Sequence, residues 1–263
     1  MLKTIEINRE HVNAVAEIKR LRLREHREKT GLTIVEGYPE IARAVKADIP
    51  VKVIYICPQI FQYHTHEFDQ YPIVEVPHDV YIQMAFAKEG LKGILAICRP
   101  FQYTLEDIKL SKSPFIVVLE KVEKPGNIGA VIRTCDGAGA DGVIICDGKT
   151  DVYNHNIVRS SIGTVFHLKT VSASAEEILA FLKKNRITIY VASSHAKAYY
   201  TQCDLSKPSA FILGSEHEGV SQFWLDHADE RIKIPMMGES KCLNVASSAS
   251  ILAYETLRQR STK

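Results

Sequence analysis

From Pro114 onward, short apolar runs recur at 115–121, 142–146, 165–168, 187–192, 210–213 and 231–235, with helix-length segments between several of them. Continuous apolar runs of this length read as buried strands, and their alternation with helices predicts an α/β fold with a mostly parallel sheet. The first hundred residues alternate on a smaller scale. A helix is expected from about Arg9 to Lys29, with Val12, Val15, Ala16 and Ile18 on one side. "LTIVEG" reads as a strand, "YPEIARAVKA" as a helix, and the runs 51–57 and 93–99 as two further strands. Between the two patterns, "PFQYTLEDIKLSKSP" (100–114) has no clear period and two prolines. The pattern predicts a small α/β domain over 1–99, a linker at 100–114 and a larger α/β domain over 115–263.

Composition narrows the function classes. No apolar run approaches the roughly 20 residues of a membrane span, and the mixed-charge start "MLKTIEINREHVN" does not suggest export. The six cysteines are scattered without a Cys-x-x-Cys pair, which argues against zinc or a disulfide framework and for a reducing cytoplasm. "YHTHEF" offers His64, His66 and Glu67 without a second ligand cluster, so no metal site is expected. Net charge is only +2, yet "KRLRLREHREK" from Lys19 to Lys29 sets six Lys/Arg against two Glu. Such a run is either a solvated helix face or a phosphate-tracking patch, and the sequence weighs the two evenly.

In a parallel sheet, ligands bind beyond the carboxyl ends of the strands, so three loops matter. In the first, "EKPGNIGAVIRTCDGAGADGVIIC", Asn127 can cap a helix whose apolar stripe is Ile128, Val131, Ile132 and Cys135. Arg133 points away from that stripe, with Gly129 and Gly137 one turn before and after it. The two glycines are expected to leave a bare strip where another backbone comes close. A dinucleotide fingerprint does not fit: the turn offers only Gly126-x-x-Gly129. In the second loop, "GSEHEGV", Glu216 and Glu218 can serve acid/base work or accept hydroxyl and N–H donors. The third, "MMGESKC", leads through Asn244 into a helix that begins with five small residues, 246–250.

Together, Asn127–Thr134 (N-x-G-A-x-x-R-T), Leu213–Val220 (L-G-S-E-x-E-G-V) and Ile234–Val245 (I-P-M-x-G-x-x-x-x-L-N-V) resemble, in order and spacing, the three motifs of SpoU/TrmH-type RNA 2′-O-ribose methyltransferases. These belong to the SPOUT class. The residues before 100 look like that family's ribosomal-protein-like RNA-binding domain, and the layout is most similar to the thiostrepton-resistance rRNA methyltransferases. The resemblance implies a C-terminal trefoil knot, which ordinary topology rules exclude. It also implies S-adenosyl-L-methionine as cofactor and a homodimer joined through knot helices, the small-residue run included. Leu213, Gly214, Ile234, Met236 and Leu243 then fall on or beside cofactor-contacting positions, and Arg133, Asn127, Glu218 and Asn244 on catalytic ones. Cys242 departs from the serine of many relatives. RNA, with 23S ribosomal RNA favoured over transfer RNA, is the implied substrate. Lys19, Arg20, Arg22, Arg24 and Arg27 are its expected N-terminal contacts. The competing readings are a catalytically silent RNA-binding protein of the same fold and, without the glycine fingerprint to support it, a small-molecule dehydrogenase.

Overall fold

The apolar runs Thr33–Glu36, Val51–Ile56, Ile73–Glu75 and Ile94–Cys98 form strands β1 to β4. The computed structural model describes residues 8–62, 66–86, 90–148, 150–215 and 218–261. In it these strands make a four-stranded sheet in the order β1-β4-β2-β3. Strand β4 runs antiparallel to both β1 and β2, and β3 runs parallel to β2. Every residue of β4 is buried, which is why its sequence is unbroken by polar positions. Helices α1 (Arg9–Leu21), α2 (Arg24–Thr30), α3 (Tyr38–Lys46) and α4 (His78–Met84) accompany the sheet. The face of α1 carrying Ala14, Val15, Ile18 and Leu21 enters the same core as Val80, Tyr81 and Met84 of α4.

The single helix expected over 9–29 is two helices, broken at Arg22 and an extended Leu23. The cause lies in its arginines. Arg27, only 5% exposed, donates from Nη1 to the carbonyls of Leu21 and Arg22, both at 2.8 Å. Those carbonyls end α1 and have no partner within the helix. Arg22 donates to Met84 at 3.0 Å and Ala85 at 2.8 Å, closing α4 in the same way. Two of the five cations expected at RNA are therefore committed to backbone. Arg24 pairs with Glu28 at 2.6 Å on the surface, while Lys19 and Arg20 are exposed.

The second sheet has seven strands: β5 (Phe115–Glu120), β6 (Gly142–Cys146), β7 (Thr170–Ala173), β8 (Thr188–Ala192), β9 (Ala198–Tyr199), β10 (Ser209–Leu213) and β11 (Glu230–Lys233). Their order is β7-β6-β5-β10-β8-β11-β9, and each pair of neighbours is parallel. Helices α5 (Pro125–Gly137), α6 (His155–Ser160), α7 (Ala175–Lys184), α8 (Gln222–His227) and α9 (Val245–Ser261) complete the order of elements. Strands β5, β6 and β10 are buried throughout.

The chain divides into two units, one holding the residues up to Phe101 together with Tyr153–His167, the other Gln102–Val152 with the residues from Leu168 onward. The first boundary lies at Phe101, and the chain later returns to the first unit. There the Thr33 hydroxyl donates to the Tyr153 carbonyl at 2.6 Å, and Arg43 donates to the Ile162 carbonyl at 2.8 Å. Helix α6 belongs to this return. The strand expected at 165–168 is absent. Thr164–Phe166 forms a 3-10 turn entered through left-handed Gly163, φ 77°, and the strand is Thr170–Ala173 instead. Nor is 100–114 a free linker. Thr104 and Asp107 cap each other, with Asp107 Oδ2 accepting from the Thr104 amide at 2.8 Å, and Leu105 and Ile108 bury into the second unit's core. At the far end, Arg260 of α9 donates to the carbonyls of Ser113 (2.7 Å), Leu205 (3.1 Å) and Lys207 (3.0 Å). No helix among the described residues is long and apolar enough to cross a membrane.

Candidate functional site

Strand β10 delivers Leu213 to the carboxyl edge of the sheet, and Gly214 turns the chain there. A Cβ on Gly214 would overlap the backbone of Gly219 and Val220, so no other residue fits without opening the loop. Ser215 and Gly219 close that loop as an isolated bridge, with the Gly219 amide donating to the Ser215 carbonyl at 3.1 Å. The Glu218 amide donates to the Ser215 hydroxyl at 3.2 Å. Glu216 of the same loop lies outside the described residues, as does His64. Beneath it, Glu120 at the end of β5 is buried and accepts from the Ser221 amide at 2.8 Å. That carboxylate anchors the entry to α8.

Strand β11 leads into Ile234 and Met236, and the chain returns through Cys242 and Leu243 to α9. Between this segment and the 214–220 loop lies a cavity of about 480 Å³. Leu213, Gly214, Ile234, Met236 and Leu243 all line it, as does Glu218. A fourth loop, after β8, contributes Ser193, Ser194 and His195. No motif marks this loop, and β8 sits between β10 and β11 in space but not in chain order. Lys233, Lys241 and Cys242 also line the cavity.

Asn244 caps α9: its Oδ1 accepts from the Ala246 amide at 2.9 Å. Its Nδ2 meets Asn127 Oδ1 at 3.4 Å, joining the third loop to the first. Asn127 itself is not the cap expected of it. Helix α5 starts earlier, with Pro125 in its first turn and Lys124 in the cap position. Arg133 is exposed on α5 and is not among the residues lining the cavity.

The glycines beside Arg133 do not form a bare strip. Gly129 is buried, and a Cβ on Gly137 would stand 3.2 Å from the Tyr254 hydroxyl of α9. Between them, the hydroxyls of Thr134 and Ser250 lie 3.2 Å apart. Another segment does come close, but at Gly137 and Thr134 it is the Tyr254 and Ser250 side chains of α9 in the same chain. The small run at 246–250 takes part through Ser250, and Ala249 is fully buried.

Residues 114–254 match the SpoU rRNA Methylase family, and residues 13–96 match the MRM3-like substrate binding domain. The chain belongs to the SpoU rRNA methylase family. Among solved structures, this SpoU methylase is similar to an RNA 2′-O ribose methyltransferase. The two share 34% identity at a TM-score of 0.83, covering 94% of this chain and 96% of the other. It is also similar to the SpoU methyltransferase AviRb from Streptomyces viridochromogenes, solved in complex with AdoMet. There the identity is 26% and the TM-score 0.86, covering 97% of this chain and 99% of AviRb. A relative in Bacillus subtilis (strain 168), the 23S rRNA (guanosine(2553)-2′-O)-methyltransferase RlmP, is 28% identical over 252 residues, 91% of this chain and 94% of RlmP. The all-parallel sheet of this SpoU methylase thus carries its three motif loops at one edge, the placement that the rule for parallel sheets predicts.

Proposed function

We propose that this chain methylates the 2′-hydroxyl of a ribose in 23S ribosomal RNA, with S-adenosyl-L-methionine as methyl donor. One observation carries the reading: a single cavity gathers the second and third motif loops, and Asn244 ties them to Asn127 of the first. The cavity suits the cofactor. Its volume lies in the range of small-molecule sites, Leu213, Ile234, Met236 and Leu243 give it apolar walls, and Gly214 brings main chain rather than side chain to its edge. Glu218 places a carboxylate where hydroxyl groups or a cationic centre can be met. Bound S-adenosyl-L-methionine supplies a methyl group activated by a sulfonium.

The protein's own residues align the acceptor. Holding the hydroxyl in line with the methyl carbon can supply roughly 7–11 kcal/mol of barrier reduction. A guanidinium is a poor base, so Arg133 grips a substrate phosphate and orients the hydroxyl, and the phosphate takes the proton. Asn127 and Asn244 hold the starts of α5 and α9 in register. Arg133 stands outside its own chain's cavity, which a homodimer explains. Tyr254 is 52% exposed on α9, and Ile251 and Leu257 are partly exposed beside it. Closure through α5 and α9 would bring Arg133 of one protomer toward the other's cavity. The trefoil knot implied by the motifs would fix β10, β11 and α9 as one interlaced segment. Lys19, Arg20 and Arg24 remain as surface contacts for RNA. Six unpaired cysteines suit a reducing cytoplasm.

Mixed dimers test the shared site. Co-expressed Arg133→Ala and Gly214→Val chains should recover methyl transfer in the heterodimer, where one intact cavity meets one intact arginine. Complete inactivity of a purified heterodimer would place both residues in the same protomer's site.

A further inference from the structure

Strand β9 is the last in the seven-stranded sheet and pairs only with β11. Its final residue, Tyr199, is 42% exposed. The register sets Tyr199 opposite Lys233, and the Lys233 ammonium lies 5.0 Å from the centre of the Tyr199 ring. Lys233 also lines the cavity described above. One side chain therefore touches both the methyl-transfer cavity and the exposed ring. Lys197, two residues before Tyr199, is exposed as well. The carboxylate of Glu230, on β11, is engaged by the buried Cys203 thiol at 3.3 Å. Lysines alone would be accounted for as protection of a sheet edge against pairing, but protection does not call for an exposed aromatic ring.

We propose that Tyr199, Lys233 and Lys197 form a single-stranded RNA contact on the catalytic unit. In it, a base next to the methylated ribose stacks on the Tyr199 ring and the two ammonium groups meet the adjoining phosphates. The chemistry is that of nucleic-acid sites in general: aromatic faces accept any base, and nearby cations track the backbone. The contact rests on the functional reading above and deepens it. Two of the five N-terminal arginine and lysine candidates hold backbone carbonyls, so fewer cations remain there for RNA, and this edge adds two.

The test compares Tyr199→Ala, Tyr199→Phe and Lys197→Glu in the full chain, with rRNA as substrate and S-adenosylhomocysteine affinity as the control for an intact fold. Tyr199→Ala should raise KM for RNA about tenfold, within what loss of one base stack produces, with kcat and S-adenosylhomocysteine affinity unchanged. Tyr199→Phe should keep the wild-type KM, because the ring face remains. Lys197→Glu should raise KM severalfold and more steeply at low salt. A Tyr199→Ala variant with wild-type KM overturns the proposal, as does a Tyr199→Phe variant as impaired as the alanine. If wild-type protein binds RNA without methylating it, the functional reading alone fails. The same comparison is then read as RNA affinity, where an unchanged Kd in Tyr199→Ala overturns the contact.

Discussion

The basic run Lys19–Lys29 and the carboxyl edge of the parallel sheet differ in how their chemistry is distributed. The run packs six cations into eleven positions, yet Arg22 and Arg27 turn inward to close helix ends and Arg24 pairs with Glu28. At the sheet edge the relevant residues are scattered over more than a hundred positions, from Asn127 to Asn244, and hydrogen bonds and a shared cavity bring them together. Local density of charge did not measure exposure. Convergence of loops from strands that are neighbours in space gathers the candidate residues instead.

Substitutions can break that contrast. The largest effect is expected at Gly214: Gly214→Val must displace Gly219 and Val220, and S-adenosyl-L-methionine affinity by calorimetry should fall about 100-fold or more, a loss of roughly 3 kcal/mol. Arg133→Ala should leave that affinity unchanged and lower kcat by about 10²–10³, the effect of removing one charge-stabilising donor. Arg133→Lys with near-normal turnover would refute the phosphate grip, since lysine keeps the charge and loses the planar fork. In the basic run the expected loss is in stability. Arg27→Ala should cost about 2 kcal/mol of stability in urea unfolding, because buried carbonyls lose charged donors, whereas Lys19→Ala should cost almost none. Asn244→Ala should lower stability by about 1 kcal/mol through loss of the α9 cap, with an added fall in kcat as Asn127 loses its contact. The smallest effect on function belongs to Lys19→Glu with Arg20→Glu: RNA affinity should weaken severalfold, with a shallower salt dependence and unchanged cofactor affinity.

The parts that could be read from sequence share a physical reason. Strands β5, β6 and β10 are buried at every position, so their apolar runs stand out. Strand β7 lies at the sheet's edge and is only half buried, with the pattern buried, buried, exposed, intermediate. The more apolar Val165–Phe166, buried in a 3-10 turn of the other unit, therefore outweighed it. The return of Tyr153–His167 to the first unit depends on contacts such as Thr33 to Tyr153, 120 residues apart, and no local pattern encodes that. The five residues that the motif resemblance implies for the cofactor all line one cavity. The loop after β8 carries no motif, and its place there follows only from strand order. Gly137 does mark close packing, but its partner, Tyr254 of α9, follows only from the fold.

The central claim is that the loops at this sheet edge perform methyl transfer to a ribose of 23S rRNA. It is tested most directly by incubating the full chain with methyl-labelled S-adenosyl-L-methionine and 23S rRNA, then mapping the label by nuclease digestion and mass spectrometry. The account predicts label on the 2′-oxygen of a single nucleotide, abolished by Arg133→Ala although the variant still binds the cofactor. Label on a base, or no transfer by wild-type protein that binds both cofactor and RNA, would contradict it.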